Sequence, residues 1–219
     1  MKKTINIPLI PELECQDLGS EIMRTLESSG ARCPIGSLNW PDIYPYHPLT
    51  VVNMAHSGQS LYIDFFVRCN YLRAVNWQNN SVVRDDSSVS ILIQSPHSED
   101  CYICIDFNCI GAKNARKIYR TGEVEPFSDE EIEKIECYTS CGPMPFREVE
   151  GLFTWDVAVK VPFELLGVEF YNKSVKLKGN LYKCALETTE PHFLTWIPVK
   201  EETTCFNDSN YFGNIILDN

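Results

Sequence analysis

Cys101, Ile103, Ile105, Phe107 and Cys109 occupy alternate positions of the run Cys-Tyr-Ile-Cys-Ile-Asp-Phe-Asn-Cys. Apolar side chains with a two-residue period mark a half-buried strand. The same odd-numbered pattern recurs in Leu61, Ile63, Phe65, Val67 and Cys69, in Val89, Ile91 and Ile93, and in Trp155, Val157, Val159 and Val161. A strand with one apolar face must lay it on another layer, and with few helices in the chain that layer is a second sheet. The pattern predicts an all-β fold, an antiparallel two-sheet β-sandwich with one or two short peripheral helices.

The remaining segments fit that frame. Ser20 caps a predicted helix through Ile22 and Leu26 to Ser29, which Gly30 stops. Residues 33–48 hold five prolines or glycines among Trp40, Tyr44 and Tyr46, a composition that predicts an extended loop packing aromatics over a sheet. Thr50–Ala55 reads as a strand, and His56-Ser57-Gly58-Gln59 as the hairpin turn into Leu61. Ser95–Asp100 forms a second turn between antiparallel strands. Ser128 and Glu131 have the spacing of a capping box, predicting an amphipathic helix over 128–137. Val175–Leu186, His192–Pro198 and Phe212–Leu217 supply the last strands. The whole chain, 1–219, is expected to form one domain, with residues 1–48 as its helix and covering segment.

Composition narrows the function. The 219 residues carry 19 basic and 30 acidic side chains, a net charge of −11, which opposes both nucleic acid and anionic lipid partners. Apolar runs are strand-sized, well short of the roughly 20 residues that span a bilayer. Lys2 and Lys3 are followed by Asn6, Pro8 and Pro11, which break any export-signal helix, so the sequence as written reads as cytoplasmic. If the start were trimmed, the protein would be periplasmic or extracellular. Ten cysteines lie largely at inward strand positions, as buried thiols do. Cys101 and Cys104 point to opposite strand faces and so cannot share one zinc ion, while Cys137 and Cys141 flank a turn that a disulfide could close. No nucleophile elbow and no phosphate-binding glycine loop is present, and loose carboxylates among 30 acids do not define a glycosidase pair.

Several phrases in a shared order carry a resemblance: Tyr46-His-Pro, Met54-Ala-His-Ser-Gly, Asp85-Asp-Ser-Ser-Val89, Phe107-Asn-Cys-Ile-Gly111, Lys178-Gly-Asn-Leu-Tyr-Lys-Cys184, Pro191-His-Phe-Leu-Thr-Trp196 and Tyr211-Phe-Gly-Asn. Over most of its length the chain resembles carbohydrate-binding module family 9-like domains of bacterial polysaccharide-degrading systems, within the wider group of DOMON-like sandwiches. The resemblance implies a non-catalytic domain whose partner is a carbohydrate, holding one or two sugar rings between aromatic planes. Such planes pack on the C–H patches of a sugar while polar side chains take its hydroxyls.

At the tryptophan of the family motif this chain has Arg84, and at its glutamate Ser90; the second aromatic position falls at Phe206, and the Gly-Asn phrase retains Asn180. The expected ligand-binding residues are therefore Phe206 and Trp196 for stacking, with Arg84, Asn108, Asn180 and Lys183 for hydrogen bonds. No catalytic residue and no cofactor is expected, although Asp85, Asp86 and the Asp208 loop supply oxygens that could hold calcium. Two rival readings are a degenerate sandwich serving as a structural or protein-interaction domain, and a glycan-processing hydrolase.

Overall fold

A computed structural model describes residues 3–200 and 209–219. Its strands are β1 (Thr4–Ile7), β2 (Ala31–Pro34), β3 (Ser37–Leu38), β4 (Leu49–His56), β5 (Ser60–Ala74), β6 (Ser88–Gln94), β7 (Cys101–Asn108), β8 (Lys113–Tyr119), β9 (Val124–Pro126), β10 (Glu136–Thr139), β11 (Phe146–Pro162), β12 (Val175–Ala185), β13 (His192–Thr195) and β14 (Gly213–Leu217). They form two sheets. One runs β1-β14-β12-β6-β7-β8-β9, with β13 and β3 added beside β12; the other runs β10-β11-β5-β4-β2. All pairings are antiparallel except β1 with β14.

The odd positions that the sequence marks as apolar meet between the sheets. Ile63, Phe65 and Val67 of β5 and Val157, Val159 and Val161 of β11 share one core with Val89, Ile91 and Ile93 of β6 and Ile103, Ile105 and Phe107 of β7. The fold class is thus the expected sandwich. Both outer faces are also partly covered. Helix α1 (Ser20–Ser29) buries Ile22 and Leu26 on Ala55 and Tyr62, on the outside of the five-stranded sheet. Each such aliphatic side chain contributes about 1.5–3 kcal/mol by leaving water. Outside the nine-stranded sheet, Trp40, Val199 and Phe212 cover Leu92, Tyr102, Tyr182 and Phe193.

Local chemistry explains the connections. Gly58 adopts φ +92° in the β4–β5 turn, a left-handed conformation that a side chain would strain. Helix α2 (Asp129–Glu133) begins with both halves of the capping box, Ser128 and Glu131, but ends sooner than its periodicity suggests because residues 136–139 pair with β11 as β10. Residues 33–48 are not wholly irregular: they contribute the end of β2 and all of β3 before Trp40 turns onto the sheet. The nine described cysteines are all free, Cys137 and Cys141 included. Among the described residues, no helix is long and apolar enough to cross a membrane.

Candidate functional site

The outer face of the nine-stranded sheet is built from even-numbered positions. Ser90 of β6 lies opposite Asp106 of β7, and Tyr182 of β12 lies opposite Ser90. Asp106 in turn lies opposite Asn114 of β8, and Cys104 opposite Arg116. The short 3-10 turn Val83–Asp85 delivers Arg84 to this face. Its Nε donates to Asp106 Oδ1 at 2.9 Å, and Arg116 donates to Asp106 Oδ2 at 2.7 Å. Burial works to raise the Asp106 carboxyl, but the two guanidinium groups overcome it and hold Asp106 below the ordinary carboxylate range. Burial likewise opposes the charge on Arg84, and the carboxylate of Asp106 more than restores it.

An aromatic layer encloses this triad. The Arg84 guanidinium lies 5.6 Å from the Tyr182 ring centroid, Tyr182 meets Phe193 edge-on, and Trp40 stacks on Phe193 with centroids 5.6 Å apart. The Tyr182 hydroxyl is buried without a hydrogen-bond partner among the described residues. Along the same strands, Tyr102, Ile118, Tyr119 and Arg120 face Ser209 and Asn210 across an open groove of about 470 Å³.

The opposite end of β8 meets a polar loop, residues 76–82. Asn114 donates to Ser81 O at 2.8 Å and accepts from Arg116 at 3.0 Å, so residues 76–82 are tied directly to the ion triad. That loop presents Trp77, which is 62 % exposed, whereas Trp40, Trp155 and Trp196 are at most 6 % exposed. The signal available in the sequence was an indole in a run of Asn and Gln, where no core can form.

The structure disperses the expected ligand-binding residues. Arg84 reaches the outer face but is buried in the triad. Asn108 donates to Asn76 O at 2.6 Å and to Asp86 at 3.0 Å, closing the loop rather than presenting an amide outward. Asn180 donates to Ile197 O and Tyr211 O and accepts from the Leu181 and Ile197 amides, so its amide group is spent on joining chain segments. Lys183, three residues on, has the opposite parity and points between the sheets. Its Nζ donates to Cys184 O at 2.8 Å and sits 5.5 Å from the Trp155 ring centroid, and burial pulls its pKa down to about 8. Trp196 is 1 % exposed and belongs to the inter-sheet core, so its ring is packed against protein. Phe206 and Asp208 lie outside the described residues.

Of the candidate calcium oxygens, those of Asp86 are committed within the fold. Asp86 is fully buried and accepts from Arg73 at 2.5 Å, from the Val75 and Asn76 amides at 3.0 and 2.8 Å, and from Asn108. Among the described residues no three His, Cys, Asp or Glu side chains are grouped to hold a metal ion.

Comparison with known proteins agrees with this architecture. A protein of Bacteroides uniformis, provisionally described as carbohydrate-binding, has a solved structure that superposes with a TM-score of 0.90 over 100% of both chains at 24% identity. A carbohydrate-binding module of family 9 from Caldicellulosiruptor kristjanssonii, solved with cellotriose, gives 0.60 at 13% identity over 99% of this chain and 94% of that one. Its glucose complex gives 0.53 at 12% identity, over 99% and 96%. At these identities the likeness establishes the fold. No curated protein matches the chain. The family description "Carbohydrate-binding family 9", in contrast, matches the sequence itself across residues 22–217. With that match running from within α1 to the end of β14, the chain belongs to carbohydrate-binding family 9.

Proposed function

We propose that the chain is a non-catalytic domain that binds a saccharide along the outer face of the nine-stranded sheet, between the exposed Trp77 loop and the Tyr102–Tyr119 groove. Membership of a carbohydrate-binding family is the observation that carries the reading. The site geometry supports it: an exposed indole can stack on sugar C–H groups, and the open groove offers tyrosine rings and Arg120 to hydroxyls. The Arg84–Asp106–Arg116 triad acts beneath this surface as a rigid support, since a carboxylate already saturated by two guanidinium groups has little left to give a ligand. The chain works as one unit, and polysaccharide as its ligand would place that work outside the cytoplasm.

Because the other three indoles are buried, quenching of tryptophan fluorescence by iodide reports chiefly on Trp77. Titration with cellotriose, glucose, xylose and galacturonate should protect Trp77 from iodide and raise the melting temperature by mass action. Absence of both effects across the panel would overturn the reading in favour of a structural or protein-interaction domain. Release of reducing ends from any of the oligosaccharides would overturn the assignment as non-catalytic.

A further inference from the structure

The opposite side of the sandwich holds a separate cavity of about 300 Å³. Its floor comes from outward-facing positions of the five-stranded sheet. Asn53 and Asp64 are paired across β4 and β5, Val51 is paired with Phe66, and Asp156 of β11 follows beyond Phe66. Helix α1 supplies Met23 and Glu27 as a wall, and Arg32 of β2 stands at the rim. The cavity exists because α1 covers Ala55 and Tyr62 but leaves the next two rows of the sheet open.

Two features distinguish this hollow from an ordinary acidic surface. Asn53 and Asp64 are each only 4 % exposed, yet Oδ1 of both lacks a hydrogen-bond partner among the described residues. Their side chains are joined by a bond from Asn53 Nδ2 to the other oxygen of Asp64, at 3.4 Å. Two residues that line one cavity therefore each hold a buried acceptor with no donor among the described residues. The charge is uncompensated as well. Burial, then the negative charges of Asp156 and Glu27, push Asp64 up to about 7, and burial with Glu27 pushes Asp156 up. Among the described residues Arg32 forms no ion pair with any of them.

A matching ligand donates hydrogen bonds, carries positive charge and offers an apolar patch to Phe66, Val51 and Met23. A bare metal ion meets only the second requirement, and the carboxylates are not grouped to ligate one. We propose that this cavity is a second ligand site for a hydroxylated amine of the amino-sugar class. The ammonium lies between Asp64 and Asp156, hydroxyls donate to Asn53 Oδ1, and ring C–H groups rest on Phe66. Its volume is at the lower end of small-molecule sites, which run from about 300 Å³ upward.

Titration of the isotope-labelled full chain with glucosamine hydrochloride at neutral pH, monitored by amide NMR, tests this directly. Saturable shifts are expected at Arg32, Asn53, Asp64 and Phe66, with glucose giving none at the same amides. Asp64→Asn should weaken glucosamine by about tenfold or more through loss of the charge-assisted bond, while keeping the dispersed spectrum of a folded protein. Asp156→Asn should weaken it in the same direction and serves as the independent variant should Asp64→Asn fold poorly. The proposal is overturned if no saturable shift occurs, if glucose moves the same amides equally, or if calcium chloride alone reproduces them. Failure of neutral sugars to protect Trp77 would leave this site standing, since the two share no residue.

Discussion

Replacing Asp64 by asparagine removes a carboxyl that the fold holds at a disadvantage, and the unliganded protein should gain stability at neutral pH. Asp64 has an ordinary value of 3.8 when unfolded and about 7 when folded, because it is buried and faces Asp156 and Glu27. A rise of roughly three pH decades, at about 1.36 kcal/mol per decade, sets a ceiling near 4 kcal/mol for the cost of ionising it in the folded state. Relaxation around the charge reduces that figure, and loss of the long contact from Asn53 offsets little, so a gain of about 2–4 kcal/mol is expected. For a chain of this size that corresponds to roughly 5–15 °C in melting temperature. The sign follows from proton linkage. Between the unfolded and folded values the native state keeps a proton that the unfolded state releases, so wild-type stability falls as pH rises from about 4 to about 7 and then levels. Urea denaturation of both proteins across that range should show a gain close to zero at the acid end, growing through the interval and constant above it. A variant no more stable than wild type at neutral pH, or a gain independent of pH, would refute the account of Asp64 as a buried, charge-crowded carboxyl.

Four further outcomes are expected. Trp77→Ala should lower saccharide affinity by an amount equivalent to about 0.5–1.5 kcal/mol while leaving stability within about 0.5 kcal/mol, measured by calorimetric titration and melting. Asp106→Asn should destabilise by about 3–5 kcal/mol in urea, because Arg84 and Arg116 then lack their shared counter-charge. Trp196→Ala should cost about 3–5 kcal/mol as a core deletion, and a loss below about 1 kcal/mol would contradict its burial. Lys183→Met should stabilise fully below about pH 8 and progressively less as pH rises from there toward 10.5, since burial disfavours the ammonium form and the folded lysine loses its proton near pH 8 while the unfolded one keeps it; a pH-independent effect would contradict a buried charge.

The sandwich was legible because burial on one face imposes a two-residue period, and β5, β6, β7 and β11 all show it. β8 was not, because Lys113-Asn-Ala-Arg-Lys-Ile-Tyr keeps just Ala115 and Ile118 buried and spends Arg116 on the ion triad. The end of the predicted helix over 128–137 was misplaced because pairing with β11 outweighs helical periodicity at Glu136. Strand parity alone separates Asn180 from Lys183, an even and an odd position along β12, and this is legible in the sequence. The triad could not. Arg84 and Asp106 are 22 residues apart and meet through a 3-10 turn whose docking no local pattern announces. The second cavity was half visible: Asp64 interrupts the aliphatic run Ile63–Phe65 at an outward position, but only the placement of α1 turns that outward position into a buried one.

The two outer faces solve the same problem of buried charge in opposite ways. On the nine-stranded sheet one carboxylate is shared by two guanidinium groups and roofed by rings, a closed arrangement complete within the chain. On the five-stranded sheet Asp64 and Asp156 are crowded together with Asn53, two acceptor oxygens lack donors among the described residues, and a cavity adjoins them. Folding explains the first, because removing Asp106 strands two guanidinium charges. It does not explain the second, where asparagine or an aliphatic residue at position 64 would fit the sheet and relieve repulsion. Groups held against stability in a concave site are the usual mark of binding, since the fold supplies half of an interaction and the ligand the other half. The Asp64→Asn variant therefore measures both arguments with one substitution: stability must rise where glucosamine affinity falls, and a variant in which the two move together would separate the carboxyl from any ligand role.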